Sequence, residues 1–196
     1  MCIRDSNMSS ILKVDQLQDS GGNNIITSHG SGTFTSSLPN TGITMADQWR
    51  WTAGFTGNAI PITANWERND TSFDKIGTGM SESSGIFTFP STGIYQVDTF
   101  THMYLNSNSR YNEIAIQLST DGGSNYSVIA DGYTSISRNT GETTYANVST
   151  KAIIDVTNTS NFKVSIKVTH HDTNTTVAGD SSNNNNATTF IRLGDT

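Results

Sequence analysis

Gly85-Ile86-Phe87-Thr88-Phe89-Pro90-Ser91-Thr92-Gly93-Ile94-Tyr95 decides how this chain is read. Phe87 and Phe89 alternate, as residues sharing one buried face of a strand do. Pro90 has no N–H for a ladder and ends that strand. Gly93 permits positive φ in the turn. Tyr95 then opens a second strand, where its ring can be buried while its hydroxyl finds a partner.

Outward from this hairpin the same period-two signal recurs at short intervals with turn residues between. Residues 48–55 place Trp49, Trp51, Ala53 and Phe55 on one face. Residues 60–66 are a weaker strand, with Pro61 arguing for an edge or a bend. Residues 94–105 place Tyr95, Val97, Thr99, Thr101, Met103 and Leu105 together, and residues 113–119 do so for Ile114, Ile116 and Leu118. After the Asp121-Gly122-Gly123 turn come strands over 126–136, 144–156 and 162–169. The last sets Phe162, Val164, Ile166 and Val168 inward, with Lys163, Ser165 and Lys167 on a wet face. Residues 188–193 close the chain. Eight to ten short strands without a helix predict an all-β sandwich or jelly roll. Composition agrees: Asn, Ser and Thr exceed a third of the chain, and charged residues are only 14%.

The motif resembles G-x-F-x-x-P-x-x-G-x-Y of the complement C1q family, a trimeric jelly roll related to tumour necrosis factor. The family-motif residues are Gly85, Phe87, Pro90, Gly93 and Tyr95. The resemblance extends over about residues 49–193. Trp66-Glu67-Arg68-Asn69-Asp70 and Phe73-Asp74-Lys75-Ile76-Gly77 look like the region of a β bend before the motif. Thr189-Phe190-Ile191-Arg192-Leu193 looks like the final central strand. The resemblance implies a C1q/TNF-like ten-strand jelly-roll sandwich with an extended N-terminal tail, forming a homotrimer through apolar and aromatic side chains. The chain departs from that pattern in having no collagen Gly-X-Y stalk, which argues against a complement-like or hormone-like role.

Ahead of this head, residues 46–196, the chain divides into three pieces. Met1-Cys2-Ile3-Arg4-Asp5-Ser6 resembles the artefactual lead of many reading frames from metagenomic assemblies, so residues 1–7 are set aside and Met8 is read as the natural start. Residues 8–29 hold a sparse apolar set, Ile11, Leu12, Val14 and Leu17, before the Gly21-Gly22-Asn23-Asn24 turn. A hairpin of 12–17 against 25–28 is expected, too small for a core of its own. This stretch resembles the N-terminal part of tail-fibre and other structural proteins of marine bacteriophages, which implies an attachment segment. Residues 30–45, rich in Gly, Ser and Thr, read as a flexible linker.

The net charge of −6 disfavours non-specific nucleic-acid binding. No apolar run reaches membrane-span length, and neither a signal-type stretch nor an intrachain disulfide is expected, Cys2 being the only cysteine. His170-His171-Asp172 is the one local cluster with metal chemistry, but adjacent strand histidines point to opposite faces. Asp121, Asp131, Asp155 and Asp172 are too scattered to read as a calcium site. No metal and no cofactor is expected. Glu67, Glu82, Glu113 and Glu142 could pair as glycosidase carboxylates in some fold, yet no nucleophile elbow, Walker loop or dinucleotide fingerprint is present. Three glycosylation-type triplets are chance matches in so Asn-rich a chain.

In a jelly roll the loops 106–112, 138–143 and 170–187 fall at the end opposite the termini. They supply candidate binding residues Asn106, Asn108, Arg110, Arg138, Asn139, His170, His171 and Asn174. The expectation is a non-enzymatic trimeric virion protein, a phage tail-fibre or capsid-fibre head. It would be joined to other virion proteins by its N-terminal segment and would engage a host-surface glycan or protein. A purely structural trimerisation or decoration module, a secreted bacterial adhesin and a β-sandwich carbohydrate-active enzyme are the alternatives.

Overall fold

The computed structural model describes residues 16–29, 31–36 and 42–196. Contacts divide the chain into residues 1–42 and 43–196. In the first unit, β1 (Gln16–Gln18), β2 (Asn24–Ser28) and β3 (Phe34–Ser36) form an antiparallel sheet in that order. The turn between β1 and β2 closes on Asp19, whose Oδ1 accepts the N–H groups of Gly21 and Asn23 at 2.9 Å each. Part of the expected hairpin, residues 12–15, lies outside the described residues. Residues 34–36, expected within a linker, instead pair with β2 in register Thr27↔Thr35. Alternating Thr, Phe and Ser suit a strand once a neighbour supplies the ladder.

The second unit is a sandwich of two antiparallel sheets. Its strands are β4 (Ala46–Trp51), β5 (Ala53–Thr56), β6 (Trp66–Arg68), β7 (Lys75–Ile76), β8 (Ser81–Ser83), β9 (Ile86–Thr88), β10 (Gly93–Leu105), β11 (Ser109–Ser119), β12 (Ser127–Ile136), β13 (Thr144–Val156), β14 (Lys163–His170), β15 (Thr176–Asp180) and β16 (Asn186–Gly194). One sheet runs β13-β10-β16-β4, with β6 and β7 beyond β4. In that sheet β15 and β5 continue the row past the end of β16. The other sheet runs β12-β11-β14-β9-β8. Neighbours far apart in sequence, such as β4 with β16 and β9 with β14, give the wrapped order of a jelly roll. The sandwich has thirteen strands rather than the ten expected, β5 to β9 being only two to four residues long.

The opening motif does in the fold what its residues dictate. Phe87 is fully buried between the sheets, 5.6 Å from Trp49, 4.8 Å from Trp66 and 5.0 Å from Phe190 by ring centroids. Phe89 packs on Tyr95 at 4.7 Å, and the Tyr95 hydroxyl donates to the Ser91 carbonyl at 3.0 Å. Gly85 has φ of 79°, and a Cβ there would stand 1.9 Å from the Ile62 carbonyl oxygen. All six inward residues expected for β10 are buried. The alternation expected through Phe55 breaks at Thr52: Ala53 is exposed and Phe55 half-buried, because β5 leaves β4 to pair with β15. Residues 60–65 form no strand, and the pairing expected there begins only at Trp66. The outward face of β14 is drier than expected. Ser165 is buried, and Lys167 is covered while holding Glu113 at 2.9 Å. With β11 on one side and β9 on the other, β14 is interior to its sheet, so neighbouring side chains cover that face.

Candidate functional site

Strand register fixes which loops share an end. Leu105 of β10 pairs with Thr144, Ser109 of β11 pairs with Ile136, and Asn112 pairs with His170. The connections 106–108, 137–143 and 171–175 therefore cluster at one end. Ala46, where the sandwich begins, pairs with Ile191 at the other, near Gly194.

Within this end the sequence candidates divide. Asn106, Asn108, Arg138, Asn139, His171 and Asn174 are exposed in or beside the loops. Asn108 ties two of the loops, its Oδ1 accepting the Arg138 N–H at 2.8 Å. Asn174 donates its side-chain amide to Asp172 at 2.9 Å. Arg110 is exposed but belongs to β11 rather than to a loop.

His170 is a correction. It is the last residue of β14, it is 3% exposed, and its N–H donates to Asn58 Oδ1 at 2.8 Å. As part of a strand end packed inward it offers no surface. Burial pushes its pKa down to about 4, so it is neutral at pH 7.

His170 belongs to a buried polar node beneath the loops. Asn112 Oδ1 lies 3.0 Å from His170 Nδ1, 2.9 Å from Ser109 Oγ and 3.2 Å from Thr175 Oγ1. The Thr175 hydroxyl is also 2.8 Å from the Asp172 carbonyl, and the Thr175 carbonyl accepts the Gly57 N–H at 3.0 Å. One side-chain amide thus joins β11, the end of β14, and the loops around residues 57 and 172. Asn112 Nδ2 and His170 Nε2 are buried and unpartnered among the described residues. The sequence signal for this node was only an Asn interrupting the alternation of β11.

A second feature is the outward face of β10 and β13. Tyr145 is 62% exposed and Ile153 69%, with Phe100 and Leu193 also exposed. The Tyr145 ring lies 5.3 Å from His102 and 5.6 Å from Tyr104. Beside them is a cleft of about 400 Å³ lined by Phe100, His102, Asn147, Ser149, Asn184 and Asn185. It opens where the β10 partner changes: β16 pairs with β10 up to Thr101, β15 pairs with Met103 and Tyr104, and the His102 N–H reaches the Asn185 carbonyl between them.

The carboxylates considered for catalysis are dispersed. Glu67 holds the buried Arg50 at 3.2 Å, Glu82 accepts the Gly85 N–H, Glu113 holds Lys167, and Glu142 is in an exposed loop. None of them lines the cleft. Among the described residues no group of three or more His, Cys, Asp or Glu is placed to hold a metal ion.

No family model matches the chain, and no curated protein matches it. Solved structures do. Murine APRIL at pH 5.0 superposes with a TM-score of 0.54 at 10% identity, over 76% of this chain and 98% of that one. Murine APRIL at pH 8.5 does so with a TM-score of 0.50 at 11% identity over the same shares. At such identity the likeness concerns the fold alone: the chain has a TNF-like jelly-roll sandwich.

Proposed function

We propose that the protein is a non-enzymatic, homotrimeric binding head of a virion, a phage tail-fibre or capsid-fibre tip. The observation that carries the trimer is the outward face of β10 and β13, where Phe100, Tyr104, Tyr145 and Ile153 stand on one side of a jelly roll. Tyr104 and Tyr145 meet there, with Phe100 and Ile153 further along the strands and polar side chains between, and exposed rings rimmed by polar residues mark a protein interface. The loop-bearing end is then the end turned to a host-surface glycan or protein, and three copies raise a weak single-site affinity by avidity.

The virion setting is supported by the resemblance of residues 12–28 to phage structural proteins. It is supported too by the first unit, whose described strands leave Leu17 49% and Phe34 65% exposed. A three-stranded sheet with such side chains uncovered suits packing against another protein. Light scattering of the full chain at several concentrations tests the assembly. A concentration-independent trimer is expected, and a monomer would overturn the trimer and the avidity argument together.

A further inference from the structure

We infer that Tyr111 and Tyr133, on the outer face of the β12-β11-β14 sheet just below the loops, form a stacking platform for a neutral pyranose ring. Tyr111 belongs to β11 and Tyr133 to β12; they are 42% and 60% exposed, so much of each ring is open. Their centroids are 6.4 Å apart at an interplanar angle of 75°, and the exposed His171 stands 5.9 Å from Tyr111 at 71°. Three rings therefore meet at steep angles around one corner.

That corner is built rather than incidental. The β11–β12 register shifts between Ser109 and Asn112, and this bulge leaves Arg110 and Tyr111 both exposed. The shift is fixed by the Tyr111 carbonyl, which accepts the His171 N–H at 2.9 Å and lies 3.0 Å from the Ser109 hydroxyl. Directly after it, Asn112 is anchored by the buried node described above. The ring of Tyr111 is thus held on strand backbone with a second layer of hydrogen bonds beneath it, as a preorganised site requires.

The neighbouring polar groups select the ligand chemistry. Glu113 lies opposite Tyr133 in the ladder, and Asp131 lies opposite Ala115. Glu113 is paired with Lys167 at 2.9 Å and accepts the Thr169 hydroxyl. With Glu113 and Lys167 satisfied by one another, the exposed Arg110, Asp131 and His171 are left to offer donors and acceptors to sugar hydroxyls, while a Tyr face offers apolar area to the C–H face of the ring. Arg110 and Lys167 are matched by Glu113, Asp131 and Asp172, so no surplus of positive charge favours an anionic sugar. The open face predicts weak single-site binding, which trimeric avidity would raise.

This inference deepens the proposed host-glycan role and rests on it for the ligand class. The test is binding of the full chain to a panel of neutral and sialylated glycans on an array, with saturation-transfer NMR on methyl hexopyranosides. Tyr111→Ala and Tyr133→Ala should each lower neutral-glycan binding at least tenfold, Tyr133→Phe should retain most of it, and circular dichroism and solution mass should not change. If Tyr111→Ala misfolds, Tyr133→Ala, whose ring stands on β12 away from the bulge, gives the answer. Undiminished binding by both alanine variants would overturn the platform while leaving glycan binding intact. Binding of sialylated glycans alone, or of no glycan, would overturn it too, and the latter would also remove the glycan from the functional proposal without touching the trimer.

Discussion

The two sheets bury their inner faces in the same way and differ on the outside. On β10 and β13 Phe100, Tyr104, Tyr145 and Ile153 stand outward among Gln96, Asp98, Asn147, Ser149 and Lys151, most of that face of β13 being exposed. On β11 and β14 the outward positions are drawn into the Glu113–Lys167 pair and the buried Ser165. One face is therefore open, with exposed rings set among polar groups, and suited to a protein partner. The other is finished except for the aromatic corner at its upper edge. Equal inner burial with unequal outer chemistry separates what holds the fold from what uses it.

The largest effect comes from breaking what both faces share. Phe87→Ala removes the ring that joins Trp49, Trp66 and Phe190 across the sandwich, and should cost about 3–5 kcal/mol in urea unfolding. A loss below about 1 kcal/mol would mean that the sheets are held elsewhere. Next, Tyr145→Asp combined with Ile153→Asp should convert the trimer to monomers with the fold retained by circular dichroism. Tyr133→Asp on the opposite sheet should leave the solution mass unchanged. If both variants dissociate, or neither does, the two faces are not distinguished in the way the exposed residues indicate.

Acid should act on the finished side. The pKa of His170 is lowered to about 4 by burial, against about 6.5 in an unfolded chain. Between these values the unfolded chain binds the extra proton, so stability falls as pH drops from about 6.5 to about 4 and is not lost further below that. Discounted for solvent near the ring, the fall is roughly 1–2 kcal/mol. Glu113, His171 and Asp172 also lie near this node, so the comparison is with His170→Gln, which should flatten that window. A parallel pH slope in wild type and variant would assign the acid response to those other groups. In the folded protein the ring stays neutral down to about pH 4, so glycan binding by the native chain should hold across that window and weaken only as pH falls through about 4.

Much of this architecture was legible in residues 85–95 and in the alternation of β10 and β13. There one face is buried and the other open, so period two survives. It was illegible where neighbours cover both faces: Ser165 and Lys167 look wet in sequence and are not. The end loops could be located from topology, but His170 could not be separated from His171. One lies inside the last ladder pair with Asn112 and the other one residue beyond it. The Tyr111 bulge was likewise hidden, since its anchors, Ser109, Thr175 and His170, come together only in the fold.

The smallest expected effect on stability gives the sharpest comparison of the faces. Glu113 and Lys167 are largely buried and mutually satisfied, so removing one partner alone would strand a charge. Replacing both together, Glu113→Leu with Lys167→Leu, deletes the desolvation cost along with the attraction and should alter stability by less than about 1 kcal/mol. The Thr169 hydroxyl, left without Glu113, can turn to solvent because Thr169 is only half-buried. What should change is association: the finished face gains an apolar patch, and light scattering should show mass beyond the trimer. If the double variant remains trimeric, the ion pair is not what keeps this face free, and the β11 and β12 surface is protected by its shape instead.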